Sequence, residues 1–221
     1  MKQIVEFLLD KCREFKLEYE NFEFDKYRKR YDQLSFREKK KIANHWLKKY
    51  PEQAHFSFEY IELWLQKFVI IPAKVLEIGG WKGELASMAL LSFSTIDIWH
   101  NYDLLEFPDI QICKDERYRL FSLDDYLWHK SLKYDYNALI ATHMIEHIKW
   151  RELVDLINWI PPSIETVLFE APIPDSEENI NWKGDHSSHI LEKGWKQVIS
   201  EMKKRGFEAV YRINNTVIFK G

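Results

Sequence analysis

Two short phrases in this sequence hold residue types that can do chemistry. The first is Val75-Leu-Glu-Ile-Gly-Gly-Trp-Lys-Gly-Glu-Leu-Ala86, a buried-strand pattern that runs into Gly79, Gly80 and Gly83 and at once into a helix. Glycines at such a corner let backbone approach a ligand closely, and open α/β sheets bind ligands at the C-terminal edge of their strands. Dinucleotide folds use G-x-G-x-x-G here and carry their ribose-binding carboxylate on the second strand. In this chain Glu77 stands two residues before Gly79, inside the end of the first strand. A carboxylate beside the turn repels a pyrophosphate and attracts an ammonium group. The bland alternative is a tight strand-to-helix corner with no ligand.

The second phrase is Asn137-Ala-Leu-Ile-Ala-Thr-His-Met-Ile-Glu-His-Ile148, which sets a strand against a helix with His143 at the strand's mouth. Its H-x-x-E-H core also spells a zinc-protease signature, but that chemistry needs the phrase inside a long helix and a third ligand further on. The run before His143 reads as strand, so no metal is expected. For His147 the simpler expectation is a helix residue satisfied locally. A polar stretch from Asp175 to His189 follows Ala171-Pro-Ile-Pro174 and holds Trp182, Asp185, His186 and His189. It is long for a βα connection, and long loops at a sheet's C-terminal edge usually carry function. An imidazole there can take a proton from a hydroxyl at neutral pH, which makes His186 and His189 candidate bases. Helix capping or a surface position is the alternative for each.

These residues need a scaffold, and the hydrophobic pattern supplies one. From Ala73 onward short β-branched runs alternate with helical segments, the pattern of a parallel sheet covered on both faces. Strands are expected near Lys74–Ile78, Ile96–Tyr102, Tyr118–Ser122, Tyr136–Ala141 and Thr166–Glu170, with helices near Glu84–Leu91, Glu146–Trp159 and Leu191–Arg205. Two final runs, Phe207–Ile213 and Thr216–Phe219, flank Asn214-Asn215, residues that tolerate positive φ, so the chain should end in a hairpin with an antiparallel last strand. Residues 1–72 contain no glycine and repeat apolar positions at helical spacing. We therefore divide the chain into an N-terminal helical cap, 1–72, and an α/β domain, 73–221. The cap's Phe56, Phe58, Tyr60 and Trp64 are expected to wall a pocket over the sheet edge.

The glycine phrase resembles the first motif of class I S-adenosylmethionine-dependent methyltransferases, Glu/Asp-x-Gly-x-Gly-x-Gly. Glu77, Gly79 and Gly83 match, while Trp81 replaces the central glycine with Gly80 beside it. The resemblance extends from about residue 73 to the C-terminus. It implies a doubly wound, Rossmann-like seven-stranded sheet with a reversed last strand, and S-adenosylmethionine as cofactor. It further implies that Glu77, Gly79, Gly80, Trp81 and Gly83 cradle the cofactor. Asp103 is implied to bind its ribose hydroxyls, with Asp97 competing on the same strand, and Asp124 in Phe121-Ser-Leu-Asp-Asp125 to contact the adenine. His143 matches a histidine that in similar enzymes borders the sulfonium and the acceptor. The family's second sheet helix should be short or missing, because Leu104–Arg117 contains Pro108 and little helical periodicity. The expected activity is methyl transfer to a small molecule, such as a sugar hydroxyl, because Leu76-Glu-Ile-Gly-Gly resembles sugar O-methyltransferases.

Composition sets the outer limits. The chain has 221 residues, 46% hydrophobic and 15% aromatic, which excludes disorder and low-complexity architectures and supports one good-sized core. A net charge of −3 is no global footprint for nucleic acid. Residues 1–72 hold 15 basic against 12 acidic side chains and the remainder 17 against 23. A basic cap acting on RNA or protein, or a catalytically silent cofactor-binding subunit, are therefore the rival readings. Cys12 and Cys113 cannot build a disulfide framework, no run reaches the ~20 apolar residues of a membrane span, and the first residues do not look like a signal peptide. A cytoplasmic location follows as the expectation.

Overall fold

A computed structural model describes residues 58–80, 83–103, 113–122, 134–173 and 191–221. Its centre is a seven-stranded sheet: β1 (Ala73–Ile78), β2 (Ile96–Asp103), β3 (Tyr118–Ser122), β4 (Ala138–Thr142), β5 (Thr166–Glu170), β6 (Glu208–Ile213) and β7 (Thr216–Lys220). The spatial order is β3-β2-β1-β4-β5-β7-β6, with β7 antiparallel to both neighbours and the other pairs parallel. The described helices are α1 (Phe58–Lys67), α2 (Glu84–Ser92), α3 (Trp150–Trp159) and α4 (Trp195–Lys204), with a 3₁₀ turn at Ile145–His147. None of them is long and apolar enough to cross a membrane.

Both faces of the sheet are buried, which is why β1, β4 and β5 read as nearly continuous apolar runs rather than alternating ones. One face carries Leu76, Ile78, Leu139, Val167 and Phe169 against Leu153 and Ile157 of α3 and Trp195 and Val198 of α4. The other carries Val75, Trp99, Ile140 and Leu168 against Ile61, Trp64 and Leu65 of α1 and Leu85 and Ala89 of α2. The sheet reverses at Asn214, whose φ of 47° is the left-handed value that asparagine tolerates better than most residues.

Helix boundaries differ from the periodicity in two places. The expected helix over 146–159 is instead a 3₁₀ turn, an extended step at Ile148-Lys149 and then α3, whose first turn is closed by the Glu152 carboxylate accepting the Lys149 N–H at 2.8 Å. The expected helix from Leu191 starts four residues later, because Gly194 is extended (ψ −178°) and serves as its N-cap. The first strand of the fourth βα unit also shifts, from 136–141 to Ala138–Thr142, leaving Tyr136 buried ahead of it.

Trp64 corrects the expectation of an aromatic pocket wall. It is fully buried, and its Nε1 donates at 3.0 Å to Thr166 Oγ1, which in turn donates to the Phe219 carbonyl at 2.9 Å. Thr166 is the first residue of β5, at the edge opposite the glycine turn, so this indole is core. Phe56 and the rest of residues 1–57 lie outside the described residues. So do residues 104–112, while 113–117 form no helix.

Candidate active site

The glycine turn is built by three hydrogen bonds. Gly79 N–H donates to the Tyr102 carbonyl at 2.8 Å, Gly80 N–H to Asn101 Oδ1 at 2.9 Å, and Gly83 N–H to the Gly80 carbonyl at 3.0 Å. Gly79 (φ 74°) and Gly83 (φ 82°) occupy the left-handed region that a side chain disfavours. Close packing adds a second reason. A Cβ on Gly79 would lie 2.7 Å from Met144 Cγ and one on Gly83 2.9 Å from the Tyr118 hydroxyl, while one on Gly80 would collide with the Glu77 carboxylate.

Glu77 is completely buried on the α1/α2 face of β1, with Asn101 as its register partner on β2. Trp99 Nε1 donates to its Oε2 at 2.7 Å, and Oε1 has no hydrogen-bond partner among the described residues. Burial pushes its pKa up to about 8, with the charges of Asp103 and Glu84 adding to the rise and the Trp99 hydrogen bond opposing it. A buried acceptor without a donor is costly, and an ammonium, directly or through a water it orders, is the kind of partner that would relieve it. Asn101 also donates from Nδ2 to the Tyr118 hydroxyl at 3.2 Å, so Trp99, Asn101 and Tyr118 form one buried frame beneath the turn.

Of the two aspartates weighed on β2, Asp103 ends the strand next to Tyr102, which pairs with Ile78, and is 5% exposed. It therefore stands at the same sheet edge as Gly79. Asp97 is exposed at the other end of β2, beside Ile71 and Pro72.

His143 follows β4 at that same edge with φ 49°, and its backbone N–H donates to the Glu170 carbonyl at 2.7 Å. Met144 packs on Gly79, which places this corner directly against the glycine turn. His143 Nδ1 lies 3.3 Å from Oε1 of the fully buried Glu146. Burial pulls the imidazole pKa down, but the hydrogen bond and charge of Glu146 and the charge of Glu170 outweigh it, for a net rise. No group of three or more His, Cys, Asp or Glu side chains is disposed to hold a metal ion among the described residues.

The structure thus brings Glu77, Gly79, Gly80, Gly83, Asp103 and His143 to one edge. Trp81, Asp124, Trp182, His186 and His189 lie outside the described residues. Sequence reasoning missed Trp99, Asn101, Tyr118, Glu146 and Glu170. A signal for Asn101 existed: it sits two residues before Asp103 on the same strand, and so on the same face by the period of two.

No model of a known protein family matches the sequence, and no curated protein matches it. Solved structures do match. A SAM-dependent methyltransferase from Archaeoglobus fulgidus is 16% identical, with 80% of this chain and 98% of that one covered and a TM-score of 0.59. An O-methyltransferase family protein from Burkholderia thailandensis is 8% identical, with 83% and 60% covered and a TM-score of 0.55. Phosphoethanolamine N-methyltransferase 2 from Haemonchus contortus, in complex with phosphomonomethylethanolamine and S-adenosylhomocysteine, is 17% identical, with 79% and 45% covered and a TM-score of 0.54. At these identities the likeness establishes the fold, which is the Rossmann-like fold of class I S-adenosylmethionine-dependent methyltransferases.

Proposed function

We propose that this chain is an S-adenosylmethionine-dependent methyltransferase whose acceptor is a small molecule, with a hydroxyl such as that of a sugar as the group methylated. The observation that carries the reading is the juxtaposition of Glu77, the glycine turn and Asp103 at the C-terminal edge of a sheet with a reversed last strand. A donor-poor buried carboxylate fits a ligand that brings an ammonium. The structural neighbours support methyl transfer in general terms.

Each residue has a definable task. Gly79, Gly80 and Gly83 let the backbone approach the ligand, Glu77 holds its ammonium end, and Asp103 accepts from two ribose hydroxyls. The sulfonium supplies a methyl group on a good leaving group, so the protein's contribution is alignment, exclusion of water and, for a hydroxyl acceptor, removal of one proton. We assign that proton to His143, which follows β4 at this edge. A methyl acceptor of this kind needs no global basic surface, which agrees with the net charge of −3.

The experiment is transfer of labelled methyl from S-adenosylmethionine across a panel of sugar, phenol, amine and nucleic-acid acceptors. Turnover on a small hydroxyl compound that falls at least tenfold in Glu77→Ala supports the reading. Turnover confined to RNA or protein, with steep salt dependence, contradicts the acceptor class. Cofactor binding without turnover on any acceptor contradicts the enzymatic reading and favours a silent subunit.

A further inference from the structure

A buried tryptophan decides which oxygen of Glu77 is left for a ligand. Trp99 and Asn101 share one face of β2, and Val75 and Glu77 the same face of β1. Trp99 pairs with Val75 and Asn101 with Glu77, so the indole has to reach diagonally along the sheet to meet the carboxyl group. It does so: Nε1 donates to Glu77 Oε2 at 2.7 Å, and both side chains are fully buried. This is the one hydrogen bond the carboxyl group receives among the described residues, since Oε1 has no partner.

The donor is held in place by its strand. Trp99 lies between β1 and β3, in register with Val75 and Tyr118, and its backbone N–H donates to the Arg117 carbonyl at 2.9 Å. Arg117 is itself tied down, its guanidinium donating to the carbonyls of Leu90, Phe93 and Ile96 and to the Asp115 carboxylate. An N–H fixed this way needs no reorganisation when charge develops on the carboxyl group beside it.

An indole N–H donates and cannot accept. The carbonyl oxygen of a neutral carboxyl group is a better acceptor for it than the hydroxyl oxygen, so neutral Glu77 carries its proton on Oε1. We propose that Trp99 is a positioning residue of the cofactor site. Its indole holds Oε2, so that Oε1 bears the proton in the unliganded protein and becomes the charged oxygen that the ammonium of S-adenosylmethionine meets. The inference rests on the methyltransferase reading for the source of the ammonium, though not for the indole–carboxyl pair. On binding, the Oε1–H bond breaks, its proton leaves to solvent, and the ammonium N–H takes its place. The titratable groups facing Glu77 among the described residues are Asp103 on β2, Glu84 in the first turn of α2, the Tyr118 hydroxyl on β3 and the Cys113 thiol ahead of it. None of them is a cation, which leaves the indole as the group that favours ionisation, and a hydrogen bond to a charged oxygen is the stronger kind.

Calorimetry of S-adenosylhomocysteine with the full chain tests this as a ratio of wild type to Trp99→Phe across pH. Without the indole N–H the carboxyl group should titrate about one pH unit higher, so affinity at pH 7 should fall about tenfold. By pH 9.5, where Glu77 is ionised in both proteins, the ratio should shrink to about twofold or less. Trp99→Phe should cost nothing further in a Glu77→Gln background. Trp64→Phe, which loses a buried indole bond at the opposite edge, should bind as wild type does. A ratio that does not change with pH, an equal further loss in Glu77→Gln, or an equal loss in Trp64→Phe overturns the proposal. If Trp99→Phe does not fold, ¹H–¹⁵N spectra of the nine tryptophan side chains in the wild type decide. One indole N–H should move downfield with a midpoint near pH 8, move the same way when S-adenosylhomocysteine is added at pH 7, and stay fixed in Glu77→Gln. The absence of any such signal overturns the proposal. Binding with a ratio indifferent to pH sinks only the role of Trp99, whereas a titrating indole without binding sinks the methyltransferase reading and leaves the pair standing.

Discussion

Gly80 lies directly over the carboxylate of Glu77, so that a side chain at residue 80 and the carboxyl group beneath it cannot occupy the same space. The turn is held there by Asn101, which accepts the Gly80 N–H at 2.9 Å from the strand beside Glu77. Unlike Gly79 and Gly83, which have positive φ, Gly80 is required by packing alone.

Gly80→Ala must therefore displace either the turn or the carboxylate. We expect a folded protein destabilised by about 1–3 kcal/mol, the usual cost of overpacking, with S-adenosylmethionine affinity reduced at least tenfold. Urea denaturation and calorimetry read the two quantities separately.

Asn101→Ala removes the acceptor for Gly80 N–H and a donor to the Tyr118 hydroxyl, both in buried surroundings. Leaving those groups unmatched should cost about 1–3 kcal/mol. Ligand affinity should fall as well, since the turn loses its tether, and Asn137→Ala, which touches only the opposite edge through Lys74, Ile70 and Pro72, should leave affinity unchanged.

Glu77 makes stability depend on pH with a definite sign. Its carboxyl holds a proton to about pH 8 in the folded chain, against 4.5 when unperturbed, so between those values the unfolded state binds fewer protons. Stability of the unliganded protein should fall by a few kcal/mol, in order of magnitude, as pH rises from 4.5 to 8, and Glu77→Gln should flatten that slope. Thermal unfolding across this range is the check.

Ligand binding should show the converse. An ammonium favours the ionised carboxylate, so affinity for S-adenosylmethionine should rise as pH approaches 8 and binding should release protons, seen as buffer-dependent enthalpy. Methylthioadenosine, which lacks the amino acid end, should show neither effect.

Trp64→Ala should destabilise the fold by about 3–5 kcal/mol, as expected for a buried large aromatic, without altering ligand affinity in the folded fraction. A selective loss of affinity would return this ring to the pocket wall.

The sheet was legible because its strands carry apolar runs bounded by glycine, proline and asparagine, and all seven strands start within two residues of expectation while keeping their order. The helix starts were less so: Ile148-Lys149 and Gly194 interrupt helices through local backbone conformation that the apolar spacing does not record. At the site, Glu77, the glycines and Asp103 could be named because they sit at a chain corner with a recognisable pattern. Trp99 and Tyr118 could not, since a buried indole that binds a carboxylate looks like any core aromatic until the strands are paired. The aromatic abundance reads differently as a result. Trp64, Trp99, Trp195, Tyr136, Phe169 and Phe219 are all fully buried, so much of it is sheet and helix core.

The central claim is that the Glu77–Gly80 corner holds S-adenosylmethionine. Isothermal calorimetry of S-adenosylhomocysteine with the wild-type chain and Glu77→Ala tests it most directly. The account predicts one site per chain, weakened at least tenfold by the substitution. No binding to the folded wild type, or equal binding to both, would contradict it.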